Sequence, residues 1–357
     1  LTEFFRTQTP KREADSDFIY RQAIKAKALD SIRGMLPAAS ISNLGIYGTG
    51  QAYEALLLRM RTHPLPEAQA YSDMMLTELR KVIPSFLRRV DIEDRGIATS
   101  TYFETNHGAM SDIASSIFGD TEPEPAPGVR LLDFDPEGEA KVVAAALYPH
   151  TMLPEDQVMR RVHAMSVEER VAILRAYCGE RTNRRHRPGR ALERPFYRFD
   201  VLADYGAFRD LQRHRMMTID WQTLRPDHGY EKPEAVELAG VTGEFEDVME
   251  RSAELFDTLV DPFPTEASYA VSLAYKLRFV IDLNARQAMH MLELRTSPQG
   301  HPAYRVVCQD MHRLIAEEAG HHAIAEMMHF VDHSEEQPLE RLDAERRAEA
   351  KRSGLSG

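Results

Sequence analysis

The period of the apolar positions changes several times along the 357-residue chain, and each change predicts an element. Val129-Arg-Leu-Leu-Asp-Phe-Asp135 alternates like a half-buried strand, and Pro136 to Tyr148 is an alanine- and valine-rich stretch with a helical pattern. A short helix should follow, opening at Ser166-Val-Glu-Glu169. There Ser166 and Glu169 can satisfy free backbone N–H groups reciprocally, and the apolar face continues through Val171 and Leu174. Phe196 to Leu202 alternates as a strand, Tyr205 to Gln212 has a helical pattern, and Thr218 to Gln222 fits a strand. Helices are expected to dominate the rest. Phe245, Val248, Met249, Leu255, Phe256 and Val260 fall at roughly helical spacing, as do apolar residues from Tyr269 to Leu294 and from Val306 to Met327. The pattern predicts an α+β fold.

The clearest interruption is Gly119 to Gly128, Gly-Asp-Thr-Glu-Pro-Glu-Pro-Ala-Pro-Gly, whose prolines and charges favour a solvated connector. A domain boundary is placed there. Ahead of it, Leu57-Leu-Arg-Met-Arg-Thr-His-Pro64, continuing to Ala70-Tyr71, echoes Leu292-Glu-Leu-Arg-Thr-Ser-Pro298, continuing to Ala303-Tyr304. The Arg-Thr-x-Pro element aligns without a gap, while pairing Gln51-Ala52 with Gln287-Ala288 needs a two-residue shift. Residues 1–118 are therefore expected to be a partial, degenerate and mostly helical copy of a domain whose complete form occupies 129–335, with 336–357 as a charged tail. Because the first residue is Leu, the rest of the earlier copy is expected upstream of Leu1.

Composition narrows the function. A net charge of -12 argues against a general affinity for nucleic acid, since backbone binding needs broad basic surfaces, so clustered arginines point to local pockets. With only Cys178 and Cys308, both inside expected helices, and neither a signal-like nor a membrane-length apolar run, a reduced, cytoplasmic protein is expected.

Two windows carry candidate chemistry. Residues 209–225, Arg-Asp-Leu-Gln-Arg-His-Arg-Met-Met-Thr-Ile-Asp-Trp-Gln-Thr-Leu-Arg, gather Arg209, Arg213, His214, Arg215, Thr218, Gln222, Thr223 and Arg225. Guanidinium forks with neighbouring hydroxyls suit a phosphate-rich ligand, although a charged surface has the same composition. The second window places Asn284, Arg286, His290 and Arg295 on one expected helix. Polar groups on a buried-looking helix need partners, which can be a ligand or internal ion pairs. Another basic triplet, Arg185-His186-Arg187, lies in the loop Arg184 to Arg190 and has the simpler reading of a solvated turn.

Together the two windows resemble the signature of the flavin-dependent thymidylate synthase family: Arg-His-Arg, then spaced hydroxyl residues and an Arg, matched by Arg213, His214, Arg215, Thr218, Thr223 and Arg225, and an Asn-x-Arg helix matched by Asn284, Arg286, His290 and Arg295. The resemblance implies that fold, a small sheet with long helices, in the domain at 129–335. It further implies that Arg213, His214, Arg215, Asn284, Arg286 and His290 hold FAD and that Arg209, Gln222, Thr223, Arg225 and Arg295 hold dUMP. Arg295 would be catalytic, stabilising an anionic pyrimidine, with methylenetetrahydrofolate as carbon donor and NADPH as reductant. A homo-oligomer is implied as well, a dimer of tandem chains in place of the family's tetramer, with no nucleic acid or membrane partner. Departures stand at Asp210, usually Gln, at Trp221, usually an acid, and at Pro226, usually Tyr. A carboxylate at 210 repels a phosphate where an amide would donate. The alternative is a non-catalytic or altered-specificity homologue that keeps a flavin or nucleotide pocket. Arg33-Gly-Met-Leu-Pro37 in the first copy carries an Arg-x-x-Leu-Pro element that the second copy lacks, so Arg33 is expected to complete a composite substrate pocket around Arg213 and Arg295. Gly48-Thr-Gly50 lacks the remainder of a dinucleotide loop and is read as a helix-opening turn. Glu318-Ala-Gly-His321 and Glu326-Met-Met-His329 are expected on one helix, whereas di-iron sites take such pairs from separate helices, so no metal site is assigned.

Overall fold

The structure is a computed structural model that describes residues 1–13, 15–119 and 121–334. The expected charged tail at 336–357 lies outside these residues. Two compact units are present: Leu1–Ala38 with Pro127–Phe256 and the chain from Ser268 onward, and Ala39–Ala126 with Asp257–Ala267. The segment expected as one half-repeat at 1–118 is thus divided between them. Its first part joins the larger unit because its backbone is hydrogen-bonded there: Ala38 N–H to Val271 O at 2.8 Å, Leu273 N–H to Leu36 O at 2.9 Å, and Ala274 N–H to Gly34 O at 2.9 Å.

The larger unit opens with α1 (Thr2–Gln8) and α2 (Asp17–Ile32), which pack through Phe5, Tyr20, Ala23, Ile24 and Ala28. The smaller unit holds α3 (Gly50–Arg61), α4 (Pro66–Leu79), α5 (Pro84–Leu87) and α6 (Ala98–Phe118), around a core of Leu57, Leu76, Leu87 and Val90. Thr49 opens α3, its hydroxyl accepting from the Ala52 N–H, so Gly48 to Gly50 is the expected helix-opening turn.

Past the connector come β1 (Val129–Phe134), α7 (Gly138–Leu147), α8 (Glu155–His163), α9 (Val167–Cys178), β2 (Phe196–Asp204), α10 (Tyr205–Leu211), β3 (Thr218–Trp221), α11 (Glu234–Leu238), α12 (Thr242–Val260), β4 (Lys276–Asn284), α13 (Ala285–Arg295), α14 (Pro302–Glu317) and α15 (His322–Met327). Ser166 and Glu169 form the expected capping box of α9. The strands make one antiparallel sheet in the order β1-β2-β4-β3, and the fold is α+β. Tyr197, Phe199, Val201 and Ala203 of β2 lie opposite Leu283, Ile281, Phe279 and Leu277 of β4, and all eight are buried. Each large member contributes about 1.5–3 kcal/mol by leaving water. Helix α14 covers this face of β1 and β2 with Val307, Cys308, Met311, Leu314 and Ile315. The alternate positions are charged: Asp200 pairs with Arg130 and with Arg278, the latter at 2.7 Å, and Arg198 pairs with Asp282.

Three expectations are corrected. The span from Tyr269 to Leu294 is a strand followed by a helix: Leu277, Phe279, Ile281 and Leu283 are buried between half-buried neighbours, a period of two. The Val306 to Met327 helix is two helices, broken near Gly320, whose φ of +69° is a left-handed conformation that glycine adopts without strain. The two Glu-x-x-His pairs therefore do not share one helix. Helix α8, not anticipated, buries Val158 and Val162, four residues apart.

The loop after α9 is fastened to α13 by a buried ion pair. Arg181 meets both carboxylate oxygens of Glu293 at 2.5 and 2.6 Å, with the side chains only 1% and 2% exposed, and also donates to Met327 O at 2.7 Å. Glu293→Ala leaves a buried guanidinium without its anion and should cost about 3–5 kcal/mol in urea unfolding, while Arg181→Met with Glu293→Leu should recover most of that loss.

Candidate functional site

Helix α10 starts where β2 ends, with the Asp204 carboxylate accepting the Ala207 N–H at 2.9 Å. Seven residues of helix then deliver Arg209 and Asp210 to its last turn, with Arg213 just beyond. The Asp210 carboxylate collects three guanidiniums: Arg213 Nη1 at 3.2 Å, Arg33 Nη2 at 3.4 Å and Arg295 Nη1 at 3.6 Å. Arg33 arrives on the strap from Gly34 to Ala38, which lies against Val271 to Ala274 so closely that a Cβ on Gly34 would stand 2.9 Å from that of Ala274. His301, the N-cap of α14, approaches Asp30 O, and Tyr304 places its ring 5.2 Å from the Arg295 guanidinium carbon. Arg33, α10, α13 and the start of α14 thereby meet.

Arg295, in the last turn of α13, is held twice more. Its Nε donates to His214 Nε2 at 3.0 Å, and its Nη2 donates to the backbone carbonyl of Asp210 at 2.5 Å. An imidazole nitrogen that accepts cannot carry a proton, so His214 is neutral with its hydrogen on Nδ1, which lies 3.5 Å from the side-chain amide of Gln287. Burial, then the charges of Arg295 and His290, push the His214 pKa down to about 4. The His290 ring is 5.5 Å from that of His214, and its Nδ1 accepts from Arg187 at 3.1 Å; burial and then Arg187 lower its pKa as well. Burial pushes Asp204 up to about 6 in spite of the Ala207 N–H and the nearby Arg33.

None of the remaining expected site residues pairs with Asp210, His214 or Arg295 among the described residues. Asn284 is the N-cap of α13, accepting from the Gln287 N–H at 2.9 Å, and Arg286 pairs with Glu193 at 3.0 Å. Arg225 pairs with Asp227 at 2.6 Å and covers the Phe256 ring. Gln222 and Thr223 are exposed just after β3. Arg209 is half-buried and Arg215 exposed, and neither has an ion-pair or hydrogen-bond partner for its side chain among the described residues. Of the three departures, Asp210 is at the centre, Trp221 is an exposed indole 5.4 Å from the Phe208 ring, and Pro226 opens a turn closed by the Gly229 N–H.

Residues 130–330 match the family model Thy1, thymidylate synthase complementing protein. The chain belongs to the Thy1 family. It is 37% identical over 350 residues to a UPF0159 protein of Chlamydia pneumoniae, covering 97% of this chain and 65% of that protein. A UPF0159 protein of Chlamydia muridarum is 34% identical over 348 residues, covering 97% and 65%, and one of Thermoplasma acidophilum is 31% identical over 342 residues, covering 94% and 66%. The chain thus spans about 65% of the length of the first two of these relatives. Among solved structures, one described as a UMP/dUMP methylase PolB from Streptomyces cacaoi, bound with 5-Br dUMP, has a TM-score of 0.43 and 20% identity, covering 56% of this chain and 94% of its own.

The Thy1 span also holds residues that the motif reading passed over. Arg187, read as part of a solvated turn, reaches His290 because the buried Arg181 holds its loop with Nε on His186 O. In the sequence Tyr304 figures only as the end of the repeat element, and Asp204 carries no motif. The two C-terminal Glu-x-x-His pairs are dispersed: His321 Nδ1 meets the Tyr197 hydroxyl at 2.8 Å, Glu326 pairs with Arg175, and His329 donates to Arg181 O at 3.1 Å. No helix among the described residues is long and apolar enough to cross a membrane.

Two buried groups of the Thy1 site titrate against each other. The unfolded chain protonates His214 near its ordinary 6.5 and the folded one only near 4, so this stabilisation is full above 6.5 and drains as pH falls toward 4. Asp204 keeps its proton up to about 6 in the fold and only to its ordinary 3.8 unfolded, so its contribution is full below 3.8 and is lost as pH rises through 6. Urea unfolding of Asp204→Asn should show stability climbing more steeply from about pH 4 to pH 6 than in the parent, and His214→Gln less steeply. Parallel profiles for both variants would contradict these assignments.

Proposed function

We propose that the junction of Arg33, α10, α13 and α14 binds dUMP beside FAD and carries out reductive methylation of dUMP to dTMP, with methylenetetrahydrofolate as carbon donor and NADPH as reductant. Membership of the Thy1 family supports the reaction class. The observation that carries the reading is the meeting of two motifs distant in sequence, Arg213 and His214 with His290 and Arg295.

FAD suits part of the expected set. Arg213 and Arg215 are exposed cations that flank His214 in the chain, and the His214 ring is near that of His290, which accepts from Arg187, a set of cations suited to a diphosphate. Asn284 and Arg286 are committed within the chain, to the cap of α13 and to Glu193, so cofactor holding falls to Arg213, Arg215, His290 and Arg187. Bound and reduced, FAD supplies the hydride that completes the methyl group.

Arg295 is the catalytic residue of this reading. His214 and the Asp210 carbonyl fix its Nε and Nη2, while Nη1 stands 3.6 Å from Asp210, beyond hydrogen-bond distance, with N–H groups to offer. Directed at the N3/O4 edge of the pyrimidine, they stabilise negative charge on the ring and raise electron density at C5 without a protein nucleophile. A neutral His214 cancels none of that guanidinium's charge, which is opposed only by the Asp210 carboxylate shared with Arg33 and Arg213. Arg33 and Arg209 are the substrate's phosphate partners. Arg225, Gln222 and Thr223 face elsewhere in one chain, and a homo-oligomer would let them serve a neighbouring copy's substrate.

One observation favours a second reading, a homologue of altered specificity that keeps a flavin or nucleotide pocket: Asp210 already engages Arg33, Arg213 and Arg295. The two separate on one preparation loaded with FAD. A retained flavin absorption band with dUMP-dependent NADPH oxidation is expected, and Arg295→Ala should keep the flavin while lowering kcat by about 10²–10³-fold. Flavin retention with no response to dUMP selects the second reading, and a protein that binds neither flavin nor a nucleotide rejects both.

A further inference from the structure

Asp210 lies where a ligand's phosphate would be most attracted, and its geometry is that of an imperfect counter-ion. Its guanidinium distances of 3.2, 3.4 and 3.6 Å exceed the roughly 2.7–2.9 Å of a well-made charge-assisted bond, and one negative charge faces three positive ones. Arg209, on the same turn of α10, adds a cation with no partner among the described residues. Asp204, another acidic group near Arg33, is tied to the Ala207 N–H.

The Arg295 guanidinium and the backbone that carries Arg33 do not depend on that carboxylate for their positions. Arg295 is fixed by His214 and by the main-chain carbonyl of residue 210, and Arg33 is carried by a strap with its own backbone hydrogen bonds. The Asp210 side chain can therefore turn away by rotation about its own bonds while the Arg295 guanidinium and the strap next to Arg33 stay. We propose that Asp210 is a built-in anion that holds the phosphate position beside Arg33, Arg209 and Arg213 until a phosphate dianion displaces it, freeing Arg295 Nη1 for the pyrimidine, which makes it the residue selecting doubly charged phosphate over singly charged anions. A monoanion replacing Asp210 exchanges one charge for one and gains little; a dianion brings a second charge and a tetrahedral set of acceptors for guanidiniums that one carboxylate satisfies poorly. The proposal rests on the nucleotide reading above only for the identity of the molecule bearing the phosphate.

Titration calorimetry of the full chain with inorganic phosphate and with nitrate tests it. Asp210→Asn should bind phosphate about tenfold tighter or better, a gain of the size expected on removing a competing charge, and should acquire measurable nitrate binding that the parent lacks. Unchanged or weaker phosphate binding in Asp210→Asn overturns the proposal. A variant that folds only when phosphate is supplied supports it, because a ligand of the native state stabilises that state by mass action. One that stays unfolded in saturating phosphate makes Asp210 a structural counter-ion and overturns it. The dUMP-dependent NADPH assay is scored separately, so a phosphate effect without turnover removes the enzyme reading alone, and turnover without a phosphate effect removes this one alone.

Discussion

A guanidinium gripped by a neutral imidazole and a main-chain carbonyl is the constraint on which this site depends. Arg295 loses its freedom to His214 and to the carbonyl of Asp210, yet neither partner cancels its charge. The grip leaves only the Asp210 carboxylate, 3.6 Å away and shared with Arg33 and Arg213, to oppose that charge. It requires an imidazole that stays unprotonated, and burial together with Arg295 and His290 ensures this by holding His214 near 4. It also requires the last turns of α10 and α13 to be neighbours.

The sheet brings those turns together. Strands β2 and β4 are antiparallel, with Asp204 opposite Lys276 and Phe196 opposite Asn284, so α10 and α13 start from opposite ends of the paired strands. Nine residues of β4 extend over about 26 Å. The eleven residues of α13 return about 15 Å of that, and the seven of α10 about 9 Å from the other end. Element lengths alone therefore bring the two helix C-termini close, and the buried Arg181–Glu293 pair fixes α13 against the loop that carries Arg187.

An acidic chain has built a basic junction, and it balances the charge in two ways. The histidines there, His214, His290 and His301, are all held below their usual range, by burial first and then by the arginines around them, so they add no further positive charge. The one carboxylate at the centre, Asp210, is shared among three cations from three parts of the chain. Repulsion is relieved without a full complement of anions, which leaves the junction receptive to another.

Local rules were sufficient where an element reports on itself. The capping box at Ser166 and Glu169, the alternation in β1 and β2, and the cap at Thr49 depend on near neighbours, and each could be placed from the residues alone. So could the family, because the Arg-His-Arg and Asn-x-Arg windows are contiguous strings. The strand at Lys276 to Asn284 was missed because its charged positions, Arg278 and Asp282, find partners on β2, Asp200 and Arg198, that only the sheet supplies. What tertiary structure alone decided was which motif residues share a site. It spent Asn284 on capping a helix and Arg286 on Glu193, turned Arg225 toward Asp227 and Phe256, and drew Arg33, Arg187 and Tyr304 in. The sequence determined which guanidiniums exist; their partners follow from distances that no local pattern encodes.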